Sequence, residues 1–523
     1  MRKFDRKIIR KYGIPEELII KTEGLAKKLN NWDRKSRILA ISHRDGDGIS
    51  AASVIYQALT ALNFTDFEIR ILLSPDIEQL MEYINELDPK YVITADIGAE
   101  FSNILDKEVD DYIITDHHPT KSGKYGRNQL NPIEFGLNDE FDASGSTMVF
   151  LLFYPLFKQF FWNTLRGRVI FCYALSGAIS DFQIKPTDNP GCVNKFVLDL
   201  AVQYNAITLK KDISLFGRSV YPVYLCIYYA NIPGFGDMEL SNILINSEIE
   251  GKLENETDDN YIWKRIVDLT DEEKSKLLEI ITRRLSDMKI ESPLSILKDE
   301  IVGRVIDLVA LEGFDCTLLE DGRYTLDPRE ILHRVNYCCR RGFSNLAIEL
   351  LNNKHVQADI LLKISDLHKE GDTEVARALA LYEQNEIPMW SWDGRIVLLD
   401  FTGNIFYDEV GVVAGVIMKA DKDIQIILSA CERDDDEGLM KLSIRAREIV
   451  WNSIDSTNNM SDAKRIFIDV KKNNPDNIVQ FGGHRWALSS SIKRKAMHKI
   501  FEQTKKYFKE LKDPQTDEYL INK

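Results

Sequence analysis

Residues 37–48 read Arg37-Ile38-Leu39-Ala40-Ile41-Ser42-His43-Arg44-Asp45-Gly46-Asp47-Gly48. An apolar run that stops on His, Asp and Asp, with glycines between the acids, describes a buried strand ending in polar side chains. The pattern repeats downstream. Ile49–Leu62 has a helical period, Phe67–Leu73 is strand-like, and Asp76–Glu86 is helical again. Tyr91–Ala95 and Tyr112–Thr115 are two more short apolar strands. Strands alternating with helices over short links predict an α/β fold built on a doubly wound parallel sheet. Such sheets bind ligands in a crevice beyond the carboxyl ends of their strands. This chain places His43, Asp45 and Asp47 there, then Asp96 after Ala95, then Asp116, His117 and His118 after Thr115.

The clustering is not an accident of composition. Eight histidines in 523 residues give roughly 0.1 adjacent His pairs by chance. His117-His118 is such a pair, and it follows an acid at a strand end. Mixed imidazole and carboxylate donors at three strand ends point to a metal site. A further acid, Asp181, closes the helix predicted over Arg168–Ser180. Ser144-Gly145-Ser146-Thr147 opens the most apolar window, Met148–Phe161, read as a buried helix. Those four residues are either a plain helix start or a cradle whose amides hold a phosphate. Phe161, Trp162 and Tyr173 read as core.

The chain is long enough for about two to four domains. No apolar run reaches about eighteen residues, so no transmembrane helix is expected. The N-terminus MRKFDRKIIRKYG has no apolar signal core, which predicts a cytoplasmic protein. Seven cysteines without CxxC spacing fit a reducing compartment and argue against a zinc knuckle.

Net charge is −15, yet it is unevenly spread. Residues 236–390 hold 19 Lys+Arg against 32 Asp+Glu, while residues 441–510 hold 15 against 7. An acidic module and a basic patch therefore share one chain. Four regions are expected: an amphipathic helix over 1–30, a catalytic domain over 31–235, an acidic helical insert over 236–390, and a smaller α/β domain over 391–523. In the insert, Thr270-Asp271-Glu272-Glu273 is a capping box for a helix to about Met288. Asp327-Pro328 starts another helix, which Gly342 ends. After it, strands are expected at Arg395–Asp400, Val412–Met418, Ile424–Leu428 and Ser443–Arg447.

These residues resemble the DHH phosphoesterases, and among them the archaeal RecJ-like nucleases. His43-Arg44-Asp45-Gly46-Asp47-Gly48 is similar to the family's first motif. Asp96 is similar to the second, Asp116-His117-His118 to the third, and Ser176–Asp181 to the fourth. Gly482-Gly483-His484 resembles the glycine-His motif of the associated C-terminal domain. There the chain departs from the family, with Arg485, Trp486, Leu488 and Ser489 where small residues are usual. The resemblance implies two divalent ions, Mn²⁺ by donor type with Mg²⁺ as the alternative. It implies His43, Asp45 and Asp96 on one ion, and Asp47, Asp96, His117 and Asp181 on the other, with Asp96 bridging. Two ions roughly 3.5–4 Å apart activate water and neutralise a phosphodiester. His118 then faces the substrate phosphate and Asp116 orients His117 from behind. Gly46 and Gly48 let the loop turn beside the ions.

The C-terminal region reads as a substrate holder. Arg445 and Arg447 suit bidentate phosphate pairing, and Gly482, Gly483 and His484 suit close approach to a nucleotide. Trp486 either stacks on a base or packs, and Lys493–Lys495 is either a solvated face or part of the patch. The leading expectation is a metal-dependent exonuclease on single-stranded DNA, and on RNA as an extension, in DNA replication or repair. One alternative is a phosphodiesterase for short oligonucleotides, pAp or cyclic dinucleotides. Another is a scaffold in a replication complex, since the eukaryotic replicative helicase contains a decayed relative. The resemblance suggests GINS, or another replication protein, as partner of the insert.

Overall fold

The computed structural model describes residues 4–120, 122–185, 189–230, 232, 235, 238–246, 248–249, 252–253, 262–289, 297, 301–319, 321–421, 423–434, 438–447, 472, 478–484 and 487–510. It forms two compact units, Met1–Ser365 and Asp366–Lys523.

The first unit is built on a five-stranded parallel sheet of β1 (Ile38–His43), β2 (Phe67–Leu72), β3 (Tyr91–Ala95), β4 (Asp111–Thr115) and β5 (Gln129–Leu130). The spatial order is β2-β1-β3-β4-β5, and every pairing is parallel. Chain order thus reverses between β1 and β3, which makes that gap the topological switch point where doubly wound sheets bind ligands. β1 and β3 are buried along almost their whole length, as parallel strands covered on both faces must be.

Two local expectations for this unit differ from what is seen. The N-terminal helix is two helices, α1 (Arg6–Lys11) and α2 (Glu16–Asn30), because Gly13 takes φ +71 and Pro15 cannot continue a helix. Helices then cover both faces of the sheet. On one side Leu39, Ile41, Val92 and Ile114 form a core with Leu80 and Ile84 of α4 (Ile77–Leu87) and Leu105 of α5 (Ser102–Glu108). The other is covered by α3 (Gly46–Ala61), α6 (Gly145–Phe153) and α7 (Leu165–Ser180), which pack on one another. The apolar window does not run as one helix to Phe161. α6 stops at Phe153 and two 3-10 turns follow, since Pro155 removes a helical donor. Trp162 and Tyr173 are buried as expected.

The acidic segment carries the expected helices Asp271–Asp287 and Pro328–Arg340. It also supplies a strand, Val302–Asp307, which pairs antiparallel with Thr208–Ile213. A core joins Ile213, Val223, Phe235, Leu277, Ile281 and Ile301 across the expected boundary at 236. Pro328–Arg340 and the helix Ser344–Asn352 lie directly against α3 and α7. There Asn352 Nδ2 donates to Ser53 Oγ (3.1 Å) and Gln57 Nε2 donates to Asn352 Oδ1 (3.1 Å).

In the second unit six strands form a mixed sheet, in the order Met389–Trp392, Ile396–Asp400, Ile426–Glu432, Leu439–Ala446, Ala487–Lys493, Ile478–His484. Val412–Met418, expected as a strand, lies inside the helix Val410–Ala420. The reason is topological: Ile396–Asp400 and Ile426–Glu432 pair in parallel, and a parallel pair needs a crossover, usually a helix. The β-branched run packs its Val413 and Ile417 under the sheet with Ala378, Ile387 and Phe401. Among the described residues no helix is long and apolar enough to cross a membrane.

Candidate metal centre

The carboxyl ends of β1, β3 and β4 and the end of α7 bring six side chains together. His43 is the last residue of β1, and its Nδ1 lies 2.8 Å from Asp45 Oδ2 and 3.7 Å from Asp96 Oδ2. The other oxygen of Asp96 lies 3.2 Å from His117 Nε2. That same Nε2 is 3.4 Å from Asp181 Oδ2 and 4.0 Å from Asp47 Oδ2. His43, Asp45 and Asp96 thus form one group able to grip a cation, and Asp47, His117 and Asp181 a second. Asp96 faces both. It sits just past β3 at φ +58, a left-handed conformation that Asp tolerates better than most residues. Gly145 permits this arrangement, because a Cβ there would stand 2.5 Å from the Cβ of Asp96.

Each member is held by a specific partner. Asp45 caps α3, accepting from Gly48 N at 2.9 Å. Asp47, in the first turn of α3, buries its carboxylate against the start of α6, where Oδ2 accepts from Gly145 N (2.6 Å) and Oδ1 from Ser146 N (3.0 Å) and Ser144 Oγ (3.1 Å). The amides of Gly145 and Ser146 are therefore spent on a carboxylate of this chain, and those of Ser144 and Thr147 on the capping box, which removes the phosphate-cradle alternative. Sequence reasoning missed Ser144, Gly145 and Ser146 as supports, because the local pattern signals only a helix cap. Gly46 and Gly48 are not turn glycines. They form the first turn of α3, where Gly46 packs on Ser180 and Gly48 on the His43 carbonyl.

The expectation for Asp116 is corrected. Its Oδ1 accepts from the backbone N (3.0 Å) and pairs with Nδ1 (2.9 Å) of His118, and its Oδ2 accepts from Ala99 N (2.8 Å). Asp116 therefore orients His118. His117 is oriented instead through Nδ1, 3.0 Å from the Asp139 carbonyl. Gln183 Nε2 donates to the same carbonyl at 2.9 Å, and Asn194 Nδ2 donates to Gln183 Oε1 at 2.8 Å. Chain order hid this, because Asp116 adjoins His117 in sequence but, in the loop after β4, pairs with His118 and Ala99 instead.

The electrostatics fit a cation. Burial, and then the charge of Asp96, pushes the Asp47 carboxyl up to about 7. Burial and the charge of Asp47 push Asp181 well above its ordinary value. Burial would lower His43, but Asp45 and Asp96 raise it to about 10. Burial likewise opposes the rise at His117, which Asp96, Asp181 and Asp47 enforce. Asp47 and Asp181 are thus pushed toward the protonated form where no cation offsets their neighbours' charge. Both oxygens of Asp96 are buried and accept no hydrogen bond. Four buried or half-buried carboxylates and two imidazoles supply the donor set that Mn²⁺ and Mg²⁺ take.

The sequence of residues 37–168 matches the model of the DHH family, N-terminal domain. Residues 37–168 are a DHH-family domain. An uncharacterised protein of Methanocaldococcus jannaschii is 26% identical over 266 residues, 50% of this chain and 56% of that protein. The chain thus spans little more than half the length of that relative. CDC45 from Entamoeba histolytica superposes with a TM-score of 0.60 at 12% identity, covering 94% of this chain and 99% of that one. RecJ from Thermus thermophilus, in complex with Mn²⁺, superposes with a TM-score of 0.53 at 15% identity, covering 95% of this chain and 55% of that one. The fold beyond the DHH domain is RecJ-like as well.

The remaining sequence-derived residues lie in the second unit. Arg445 stands on the strand Leu439–Ala446, its Nη1 donating to Ser443 Oγ (2.9 Å) and the Ile444 carbonyl (3.0 Å). Burial lowers its guanidinium to about 10. Arg447 donates to the carbonyls of Ile424 (2.8 Å), Asp421 (2.9 Å) and Met418. Gly482, Gly483 and His484 end the strand Ile478–His484, paired with Ser489, Leu488 and Ala487. The His484 side chain lies outside the described residues, as do Arg485 and Trp486.

Proposed function

We propose that this protein is a phosphoesterase that hydrolyses phosphodiester bonds of single-stranded nucleic acid, as an exonuclease in DNA replication or repair. The observation that carries the proposal is the carboxylate of Asp96, set between two cation-gripping groups at the switch point of the sheet. His43, Asp45 and Asp96 would hold one divalent ion, and Asp47, Asp96, His117 and Asp181 the other, with Mn²⁺ favoured and Mg²⁺ the alternative. When bound, such a pair supplies an activated water and neutralises phosphoryl charge. Asp116 fixes the His118 ring through Nδ1, so the Nε2 edge of this half-exposed imidazole is the group that meets the substrate phosphate. Arg445 would hold the strand away from the cut, with Gly482, Gly483 and His484 beside it, while Arg447 supports the backbone behind it. Seven free cysteines, mostly buried, suit a cytoplasmic setting.

The test is hydrolysis of end-labelled single-stranded DNA, single-stranded RNA and a trinucleotide, each with and without Mn²⁺. Metal-dependent loss of nucleotides from the long strands supports the proposal. Turnover of the trinucleotide alone selects the short-substrate alternative. No turnover of any substrate leaves the scaffold reading, which the likeness to CDC45 over 99% of that chain favours. In either case the acidic segment, with its 32 acids, is proposed to dock a replication protein such as GINS, since it would repel nucleic acid.

A further inference from the structure

Immediately after Asp181 the chain turns on Phe182, which has φ +57. The amide of Phe182 donates to the Ile179 carbonyl, and those of Gln183 and Ile184 to the Ala178 carbonyl. Phe182 thus occupies the left-handed position that closes a helix, where glycine, or sometimes asparagine, normally sits. Of the eight non-glycine residues at positive φ among those described, six are Asn or Asp, and Phe182 is the one aromatic. A side chain that crowds the backbone in this way usually compensates by joining the core. Phe182 does not: it is 73% exposed, the most exposed large apolar side chain among the described residues. Neither local conformation nor packing accounts for an aromatic here.

Its setting does. The Cα of Phe182 is one peptide, about 3.8 Å, from that of Asp181, whose carboxylate reaches His117 Nε2. The turn is also tied down by hydrogen bonds. Gln183 is held by the Asp139 carbonyl and by Asn194, and that carbonyl also orients His117. An exposed ring on a hydrogen-bonded turn next to a candidate metal centre is a surface an unpaired nucleobase can stack on, and stacking accepts any base.

We propose that Phe182 is a stacking platform for the base of the nucleotide whose phosphodiester lies at the metal centre. The proposal rests on the hydrolase reading above, and it names how that site selects unpaired nucleotides.

The test uses the full chain with Mn²⁺ and fluorescein-labelled oligothymidylate, with or without bases on its terminal nucleotides at either end. Phe182→Gly and Phe182→Leu should weaken binding of the base-carrying strand by roughly ten- to a hundredfold, and Phe182→Trp should retain it. The loss on the strand with abasic ends should be at least about ten times smaller. Melting of Phe182→Gly should occur at or above the wild-type temperature, because glycine accepts positive φ at no steric cost. Wild-type affinity of the Gly and Leu variants for the base-carrying strand would overturn the proposal, as would equal losses on both strands. Failure of the hydrolase reading shows separately, as absence of binding and turnover by the wild type, and it would take this proposal with it.

Discussion

Asp96 Oδ1 lies 3.2 Å from His117 Nε2, while the other oxygen of the same carboxylate faces His43. One side chain therefore joins two groups that come from different strands. Replacing it should separate chemistry from folding. Asp96→Ala should lower Mn²⁺-dependent hydrolysis by more than about a hundredfold, beyond what the loss of an outer partner costs. In metal-free protein it also removes a charge that crowds Asp47 and Asp181. Its melting temperature should then equal or exceed that of the wild type. Calorimetric Mn²⁺ titration and thermal melts check both, and near-normal activity would remove Asp96 from the centre.

Asp116 tests positioning. It accepts from His118 Nδ1 and fixes which ring nitrogen faces outward. Asp116→Asn preserves shape but no longer imposes that tautomer. We expect kcat to fall about a hundredfold, the lower range for lost proton-transfer geometry, with KM changed little. Mn²⁺ affinity should stay near wild type, because His117 is oriented elsewhere. A large drop in metal affinity would instead return Asp116 to the support of His117.

Much of the first unit is legible in the sequence because parallel strands buried on both faces are unbroken apolar runs. Ile38–His43, Tyr91–Ala95 and Asp111–Thr115 each announce where a strand ends and where polar atoms gather. What connects two elements is less legible. Val412–Met418 has a strand's composition, and only its place between two parallel partners makes it a helix. Asp116 and His117 are neighbours in sequence and face different partners in space. The Ser144–Thr147 turn reads as a helix start, and nothing local reveals that it holds Asp47 from 97 residues away.

Glu330 predicts a pH signature. It is buried, accepts from Ser219 and Thr325, and burial followed by the charge of Asp327 raises its carboxyl from 4.5 to about 7. The folded state therefore keeps this proton to a higher pH than the unfolded chain. The resulting stability is fully present below about 4.5 and is lost as pH rises through about 7, by up to roughly 3 kcal/mol. Glu330→Gln removes this slope and leaves the other buried acids as they are. Urea unfolding should show wild type losing stability relative to Glu330→Gln between pH 5 and 8. A pH-independent difference between the two proteins would refute it.

The insert cannot be treated as detachable. Asn352 ties its helix Ser344–Asn352 to Ser53 and Gln57 on α3, the helix that carries Asp47. Truncating it leaves buried partners unsatisfied, at about 1–3 kcal/mol. Asn352→Ala should melt several degrees lower, and removal of all of 236–390 should yield no folded catalytic unit. A docking test on this segment therefore needs charge reversals on exposed acids such as Asp271 and Glu272, read by capture of purified GINS. Soluble, metal-binding protein from the full deletion would show that the segment only spaces the two units.

Arg445 and Arg447 stand two residues apart and should behave differently. Arg445 has its guanidinium buried against Ser443 and Gly411, with no carboxylate in an ion pair with it among the described residues. Arg447 spends its donors on the carbonyls of Met418, Asp421 and Ile424, at the end of the crossover helix and the turn after it. Arg445→Ala should therefore weaken binding of a long single strand and lower its salt slope by about one phosphate contact, with far less effect on a dinucleotide. Arg447→Ala should act first on stability, by about 1–3 kcal/mol, since three carbonyls lose their donor. Fluorescence anisotropy at several salt concentrations, beside thermal melts, separates the two. Equal loss on long and short substrates for Arg445→Ala would place that residue in the catalytic step rather than in holding the strand.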